Sequence, residues 1–157
     1  MHLKPNLFDL INQVKPQKDI DGMTDYNISA LINKRSNPFF ISSTGLAVMK
    51  ILNETGIRLA GKKCALLNKG SRSVGIPLQC LLEANDVEVT RCDSNSDLES
   101  IIRESDIVIA ALGKHNLIKG EWIKPGSVVI DLGTNFLEVN NKIRMVGDIP
   151  FQEVKFK

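Results

Sequence analysis

Phosphate-binding chemistry is indicated most strongly between residues 68 and 75, where two glycines, two serines and an arginine occur together. Glycine lets the backbone approach a ligand closely because it carries no Cβ. Hydroxyl and guanidinium groups donate to phosphate oxygens, and the free N–H groups at a helix start attract anions. The glycine spacing matches neither G-x-G-x-x-G nor a P-loop, so a plain strand-to-helix turn is the alternative. The candidate cofactor-binding residues here are Gly70, Ser71, Arg72, Ser73 and Gly75.

An acidic residue follows where dinucleotide-binding folds contact the adenosine ribose. Asp93 lies about 20 residues beyond the glycine turn, at the end of a predicted strand. A carboxylate there accepts from the ribose hydroxyls and repels a 2′-phosphate, which favours NAD over NADP. Arg72 or Arg91 would reverse that preference by pairing with the phosphate. The alternative is that residues 93–96 form a turn that caps a helix beginning at Asp97.

Further candidates lie in loops at the same predicted rim. Ser94 follows the second predicted strand, Gly113 the third and Thr134 the fourth. His115 is interpreted as a solvated loop residue, because no acid or hydroxyl lies at a spacing that predicts a catalytic partner. The sequence indicates no metal site, since the cysteines at positions 64, 80 and 92 form no C-x-x-C pair. We interpret them as core thiols of a reducing compartment.

These loops must be positioned by the elements between them. From about residue 61, continuous apolar runs alternate with amphipathic stretches, which is typical of parallel strands covered on both faces. Right-handed crossovers then give an α/β fold, a Rossmann-like doubly wound parallel sheet with helices on both faces. The predicted strands cover 64–67, 87–92, 107–112 and 127–132, and the predicted helices cover 75–84 and 97–104.

The first part of the chain has a different pattern. Apolar residues at spacings of three and four predict one helix from residue 7 that Pro16 ends. They predict a second over 46–52, capped by one of the residues 42–44 and ended by Gly56. We therefore divide the chain into a helical segment, residues 1–60, and a Rossmann-like domain, residues 61–157.

Composition excludes several classes of protein. The 157 residues are 43% hydrophobic and 24% charged with a net charge of +2, ordinary proportions for a globular protein. So small a net charge predicts no nucleic-acid partner. No apolar run approaches the length of about 18 residues that a membrane span needs, and the first residues lack a signal-peptide core. We expect an intracellular protein of the cytoplasm or the mitochondrion.

Five segments occur in the order found in a known enzyme family. They are 18–22 (KDIDG) followed by Asn27, 74–77 (VGIP), 119–126 (KGEWIKPG), 129–135 (VIDLGTN) and 146–148 (VGD). In this order they resemble the bifunctional methylenetetrahydrofolate dehydrogenase/methenyltetrahydrofolate cyclohydrolases, mainly their NAD(P)-binding domain. The resemblance implies NAD or NADP as cofactor, a role in one-carbon folate metabolism and homodimers formed through the cofactor domain.

The sequence also departs from the family pattern. The family's catalytic lysine lies four residues after a tyrosine, whereas Tyr26 is followed at that distance by Ala30. Lys69 and Gly70 stand where the glycine turn of the family has Gly-Arg, and the closing Pro-Gly-Gly-Val-Gly-Pro-Met-Thr segment does not occur. The resemblance therefore implies that the catalytic half is absent. We expect no catalytic residue in this sequence and little or no turnover from it alone.

Several functional alternatives follow from the resemblance. Asp21 is implied as a folate contact, unless Asp19 and Asp21 only shape a turn before Gly22. Folate would bind only if the missing domain is supplied, and a degenerate, non-catalytic subunit of a larger assembly is the alternative function. A regulatory dinucleotide-binding module is a third. We expect a homodimer or a heteromeric protein partner, because the N-terminal helices would otherwise expose apolar residues, namely Leu7, Leu10, Ile11 and Phe40.

Overall fold

Helices occupy the first part of the chain, and strands alternate with helices after it. The structure, a computed structural model, describes residues 6–33, 36–68, 70–139 and 141–155. The helices are α1 (Leu7–Ile11), α2 (Asp25–Asn33), α3 (Ser43–Glu54), α4 (Gly75–Glu83), α5 (Leu98–Glu104) and α6 (Phe151–Val154). The strands are β1 (Lys63–Leu67), β2 (Glu88–Cys92), β3 (Ile107–Ala110), β4 (Val128–Asp131), β5 (Asn135–Val139) and β6 (Lys142–Val146). Short 3₁₀ turns cover Pro16–Lys18 and Gly120–Trp122.

Four strands form a parallel sheet in the order β2-β1-β3-β4, and β5 and β6 form a separate antiparallel hairpin. The chain steps outward from β1 to β2 and then returns past β1 to β3. The order therefore reverses between β1 and β3, and the loops after these two strands lie side by side at the carboxyl rim. This is the position at which open α/β sheets bind their ligands. The predicted Rossmann-like fold is confirmed.

Apolar side chains cover both faces of the parallel sheet. Leu66 of β1 and Ile109 of β3 lie in one cluster with residues of α3 and α4. Their neighbours Leu67 and Val108 lie in a second cluster on the opposite face with residues of α5. Burial of each such side chain contributes about 1.5–3 kcal/mol. The two layers hold the strand ends, and hence the rim, in place.

The predicted helix boundaries are largely confirmed. Ser42 caps α3 by accepting from the amide of Gly45 at 3.5 Å, and Gly56 follows this helix with φ +73°. The side chain of Asp97 caps α5 by accepting from the amide of Ser100 at 3.3 Å. The first helix ends at Ile11, earlier than its apolar pattern predicts.

The sequence did not predict α2 or the β5–β6 hairpin. The buried face of α2 is short and includes a polar residue, Asn27, so it carries little apolar periodicity. The hairpin packs on no third strand among the described residues, although Ile143 and Met145 alternate with Lys142 and Arg144 as in a strand with one apolar face.

The cysteines differ in burial, and none forms a disulfide. Cys64 and Cys92 are buried, as predicted, whereas Cys80 is half-buried. Burial raises the pKa of the Cys64 thiol to about 12 and that of Cys92 to about 11. Both thiols are therefore protonated and inert at neutral pH. Within the described ranges, no group of three or more His, Cys, Asp or Glu residues could hold a metal ion. None of the helices described is both long and apolar enough to cross a membrane.

Candidate functional site

Asn68, the residue after β1, organises the glycine turn. Its side-chain oxygen accepts from the amides of Gly70 at 2.8 Å and Ser71 at 2.9 Å. Its side-chain nitrogen donates to the carbonyl oxygen of Ala111 at 3.2 Å. One buried amide group therefore shapes the turn after β1 and ties it to the loop after β3. Lys69, which the sequence comparison singled out, lies outside the described residues.

A side chain within the glycine turn accepts hydrogen bonds from part of the turn's backbone. The hydroxyl oxygen of Ser71 accepts from the amides of Val74 and Gly75, each at 3.2 Å. Together with the two amides that donate to Asn68, four N–H groups of the turn already have an acceptor, whereas the sequence predicted free N–H groups at this helix start. The amides of Arg72 and Ser73 have no acceptor among the described residues. Only the middle of the turn therefore has backbone donors available to an anion.

Gly75, the first residue of α4, is required by close packing. A Cβ at this position would lie 2.2 Å from the side-chain oxygen of Asn68 and 3.0 Å from the Cα of Gly70. Gly70 itself adopts φ +82°, which L side chains rarely adopt. The two glycines thus serve different ends, since one provides the turn and the other lets the helix start against it.

Arg72 faces away from the rim, towards the N-terminal segment. Its guanidinium donates to the carbonyl oxygen of Met23 at 3.2 Å and forms a salt bridge with Asp25. It also lies over the ring of Phe8, 4.8 Å from the ring centroid. The contacts link α1, α2 and the glycine turn, and they leave the charge of Arg72 already paired.

Asp93 lies in a tight turn beyond β2. One carboxylate oxygen accepts from the amide of Asn95 at 2.9 Å and from the hydroxyl of Ser96 at 3.3 Å. The amide of Asp93 donates to the same hydroxyl oxygen at 3.1 Å. Ser94 is half-buried within this turn. The turn expected as one alternative is therefore present, and the helix cap comes from Asp97.

A polar pocket of about 270 Å³ lies between the ends of β1 and β2. Its lining includes one carboxylate, one hydroxyl, one side-chain amide and one cation. The lining residues are Asn68, Arg91, Cys92, Asp93 and Ser96. The guanidinium carbon of Arg91 lies 3.5 Å from where a Cβ of Gly70 would be, so Arg91 extends over the glycine turn.

Asp148 holds the loop after β3. Its carboxylate accepts from three consecutive amides, those of Leu112 at 2.8 Å, Gly113 at 3.1 Å and Lys114 at 2.9 Å. It also accepts from the side-chain nitrogen of Asn135 at 2.9 Å. Asp148 is 1% exposed, so its carboxylate is shielded from water while Gly113 and Lys114 lie at the surface. No local pattern in the sequence predicts this role.

Asp131, at the end of β4, positions Asp148 in turn. Its carboxylate accepts from the amides of Gly133 at 2.8 Å, Asp148 at 3.1 Å and Ile149 at 2.9 Å. A Cβ on Gly147 would lie 2.0 Å from that carboxylate, so glycine is required there. The two carboxylates connect the loops after β3 and β4 into one wall of the rim.

Gly113, Thr134 and His115 lie along this second wall. Gly113 and Thr134 are exposed and contact solvent. Nδ1 of His115 lies 3.1 Å from the carbonyl oxygen of Gly147, so the ring is tied to the wall. The carboxyl rim therefore brings together the sequence-predicted residues of all four loops, except that the side chain of Arg72 turns away.

Asp19 and Asp21 come well before the rim residues in the sequence, and they differ in burial. Asp19 is buried and accepts from the amides of Met23 at 3.1 Å and Thr24 at 2.7 Å, and from Nδ2 of Asn27 at 2.9 Å. Burial alone would raise the pKa of Asp19, but these hydrogen bonds outweigh it and hold the pKa below its usual value. Asp19 thus shapes the turn. Asp21 is exposed, and its folate contact stays a prediction.

Comparison with known proteins identifies the family. Residues 42–157 match the family model described as tetrahydrofolate dehydrogenase/cyclohydrolase, NAD(P)-binding domain. The chain belongs to this family. It is 37% identical over 152 residues to the cytoplasmic C-1-tetrahydrofolate synthase of Rattus norvegicus, and 38% identical over 148 residues to the mitochondrial bifunctional protein FolD 1 of Arabidopsis thaliana. These matches cover 94% and 92% of this chain.

A solved relative has the same fold. The methylenetetrahydrofolate dehydrogenase-cyclohydrolase of Trypanosoma brucei, solved with NADP and an inhibitor, matches 96% of this chain with a TM-score of 0.88 and 35% identity. The chain spans 52% of that relative, 42% of the Arabidopsis protein and 16% of the rat protein. The chain therefore corresponds to the NAD(P)-binding part of the bifunctional enzymes of one-carbon folate metabolism.

The rim of this chain has features that suit a nicotinamide dinucleotide. Gly75 lets α4 start directly against Asn68, and the amides of Arg72 and Ser73, which have no acceptor among the described residues, are the donors that the turn offers to a phosphate. The polar pocket between β1 and β2 has hydroxyl, amide and guanidinium groups for a ribose or phosphate. The residues present therefore fit the cofactor for which the family domain is named.

Proposed function

We propose that this chain binds a nicotinamide dinucleotide across its carboxyl rim and forms the cofactor wall of a methylenetetrahydrofolate dehydrogenase/cyclohydrolase cleft. The observation that carries the proposal is the strand order β2-β1-β3-β4 with the glycine turn at its reversal point. Asn68 ties this turn to the loop after β3, so the two walls of the crevice are held together. The single chain is proposed to bind the cofactor without turnover.

The chemistry divides between cofactor and protein. The nicotinamide supplies hydride exchange when bound, and the protein must hold it against the folate carbon. In this chain, the Asn68 turn and the Asp148 wall orient the rim. The family's tyrosine and lysine have no counterpart among the residues of this sequence, because its one tyrosine, Tyr26, is followed four residues later by Ala30. We propose that folate binds only with a further polypeptide segment.

Titration calorimetry of the purified chain with NAD and NADP tests the cofactor proposal. We expect saturable binding of at least one of them, and no oxidation of methylenetetrahydrofolate in a spectrophotometric assay of the same sample. Binding of neither dinucleotide would favour the alternative, a degenerate subunit that has kept the fold for its surface. Turnover at ordinary enzymatic rates would contradict the proposed inactivity of the single chain.

Of the two dinucleotides, we propose NADP. The carboxylate of Asp93 favours NAD only if it is available to the ribose, and one of its oxygens already closes the Asp93 turn. The trypanosomal relative was solved with NADP, which supports the same choice. We also propose an intracellular location, supported by relatives named as cytoplasmic or mitochondrial.

We further propose a homodimer formed through the β5–β6 hairpin. Phe136, Ile143 and Met145 are 69%, 77% and 71% exposed. Phe136 pairs directly with Met145, and Glu138 pairs with Ile143, so all four lie on one face of the ribbon. A two-stranded ribbon is marginally stable in water, and an exposed apolar face of this kind is a typical interaction site. We propose that a heteromeric partner would instead contact apolar residues of the N-terminal segment. These are the exposed residues Leu7, Leu10 and Phe40 and the half-buried Ile11.

Sedimentation of the wild type and two matched variants tests the dimer. We expect a species of twice the 17.4 kDa chain mass at micromolar concentration, which Ile143→Glu converts to monomer. A buried charge in a small apolar interface weakens association by about tenfold or more. Ile20 is the matched control, since it is 71% exposed on the N-terminal segment, and Ile20→Glu should leave the dimer intact. A monomeric wild type, or dissociation only by Ile20→Glu, would refute the hairpin interface.

A further inference from the structure

Two arginines are candidates to recognise the 2′-phosphate that distinguishes NADP from NAD. Such a group needs a cation beside the adenosine ribose, at the carboxyl end of the second strand of a dinucleotide-binding sheet. Arginine suits this role because its planar guanidinium can donate two parallel hydrogen bonds to one phosphate. The structure separates the candidates, Arg72 and Arg91, by what each already contacts.

Arg72 is committed to the N-terminal segment. It forms a salt bridge with Asp25, donates to the carbonyl oxygen of Met23 and lies over the ring of Phe8. Recruiting it to the cofactor would leave Asp25 without this partner and would remove a contact between the turn and α1. Arg72 also does not line the pocket between β1 and β2.

Arg91 has the opposite environment. It lies near the end of β2, lines the 270 Å³ pocket and extends over Gly70. Its hydrogen-bond partner is a neutral group, Oε1 of Gln79 at 3.3 Å, and Gln79 is itself oriented by donating to Glu83 at 2.8 Å. No salt bridge within the described residues includes Arg91. Its charge is held over the turn by a weak contact that a phosphate can replace.

Arg91 also lies in the same pocket as the negatively charged Asp93. A carboxylate beside the ribose repels a 2′-phosphate, and an adjacent guanidinium offsets this repulsion. The hydroxyl of Ser96 and the amide of Asn95 further bind one oxygen of that carboxylate. The phosphate-binding side of the pocket is therefore the side occupied by Arg91.

We propose that Arg91 selects NADP over NAD by pairing with the 2′-phosphate. The inference rests on the proposed dinucleotide function and adds the residue that determines its specificity. Gly70 contributes through its backbone, since its φ of +82° shapes the turn beneath the guanidinium, which lies in van der Waals reach of this residue. In this chain, the arginine that recognises the 2′-phosphate thus comes from β2, whereas the family carries it in the glycine turn.

Binding of NADP, NAD and 2′,5′-ADP to variants of the full chain tests this role. Arg91→Gln should weaken NADP and 2′,5′-ADP by about tenfold or more, as expected for loss of charge-assisted hydrogen bonds, and change NAD less than about twofold. Arg91→Lys, which keeps the charge without the planar fork, should fall between Gln and wild type. Arg58 is exposed and precedes β1, at the opposite end of the sheet, so Arg58→Gln is the control that removes the same charge. It should leave all three ligands within about twofold.

The outcomes separate this inference from the function on which it rests. Equal weakening of NAD and NADP by Arg91→Gln would overturn the selective role and leave the dinucleotide function standing. Tighter binding of NAD than of NADP by the wild type would overturn it as well. Failure of the wild-type chain to bind any of the three ligands would overturn the dinucleotide function itself.

Discussion

Replacing Asp148 by alanine is expected to lower the free energy of unfolding by about 3–5 kcal/mol. Each buried donor left without its acceptor costs about 1–3 kcal/mol, and the losses of neighbouring donors are not additive. The carboxylate accepts from three successive amides after β3 and from Asn135. Alanine would leave these four donors without an acceptor in a place where Asp148 is 1% exposed. Denaturant unfolding followed by circular dichroism measures the loss.

Further variants distinguish the loss of these hydrogen bonds from a general effect of charge. Asp148→Asn keeps one acceptor oxygen but places an NH₂ group against amide donors, so we expect it to destabilise almost as much as alanine. Glu121 is an exposed acid on the 3₁₀ turn Gly120–Trp122, and Glu121→Ala should change stability by less than about 0.5 kcal/mol. A loss below about 1 kcal/mol for Asp148→Ala would show that water replaces the carboxylate and that the rim wall does not depend on it.

The same carboxylate explains why the rim was only partly predictable. All four parallel strands were predicted, three of them from continuous apolar runs, which a sheet covered on both faces needs. The exception is β2, an edge strand with polar residues in its sequence. The third strand was predicted to reach Leu112, but β3 ends at Ala110. The backbone amide of Leu112 donates to the carboxylate of Asp148 instead. Asp148 follows Leu112 by 36 residues, and no local pattern records such a contact.

Local rules account for the turn after β1 better than for its ligand contacts. Asparagine commonly accepts from the amide two residues later, so the bond from Gly70 to Asn68 follows from a known turn preference. The direction of an exposed arginine does not follow from any such preference. By sequence, Arg72 was a candidate cofactor-binding residue and either Arg72 or Arg91 could pair with a 2′-phosphate, and only tertiary contacts with Asp25 and Gln79 separate them.

The hairpin shows a different limit. Ile143 and Met145 alternate with Lys142 and Arg144, as in a strand with one apolar face, yet Phe136, Ile143 and Met145 are exposed in the single chain. Alternation shows which residues share a face but not what covers that face, so it does not distinguish a core strand from an interface ribbon. The proposed dimer would cover this face, and the sedimentation experiment tests it.

Substituting Gly75 by alanine is expected to weaken dinucleotide binding by about tenfold or more and to cost about 1–3 kcal/mol of stability. The new Cβ would lie 2.2 Å from the side-chain oxygen of Asn68, the atom that accepts from Gly70 and Ser71. Helix α4 or the Asn68 side chain must then move, and either movement opens the turn at the reversal point of the sheet. Titration calorimetry with NADP and denaturant unfolding measure the two effects.

A double-mutant cycle with Asn68 identifies the cause of that effect. Asn68→Ala removes the oxygen that the new Cβ would strike, so the double variant should lose less than the sum of the two single losses. Gly56→Ala is the control, because Gly56 has φ +73° with no atom within 4 Å of its built Cβ and follows α3 away from the rim. It should cost stability through backbone strain alone and leave binding within about twofold. Strict additivity between Asn68→Ala and Gly75→Ala would place the effect outside this contact, since a steric clash cannot persist once one of its two atoms is gone.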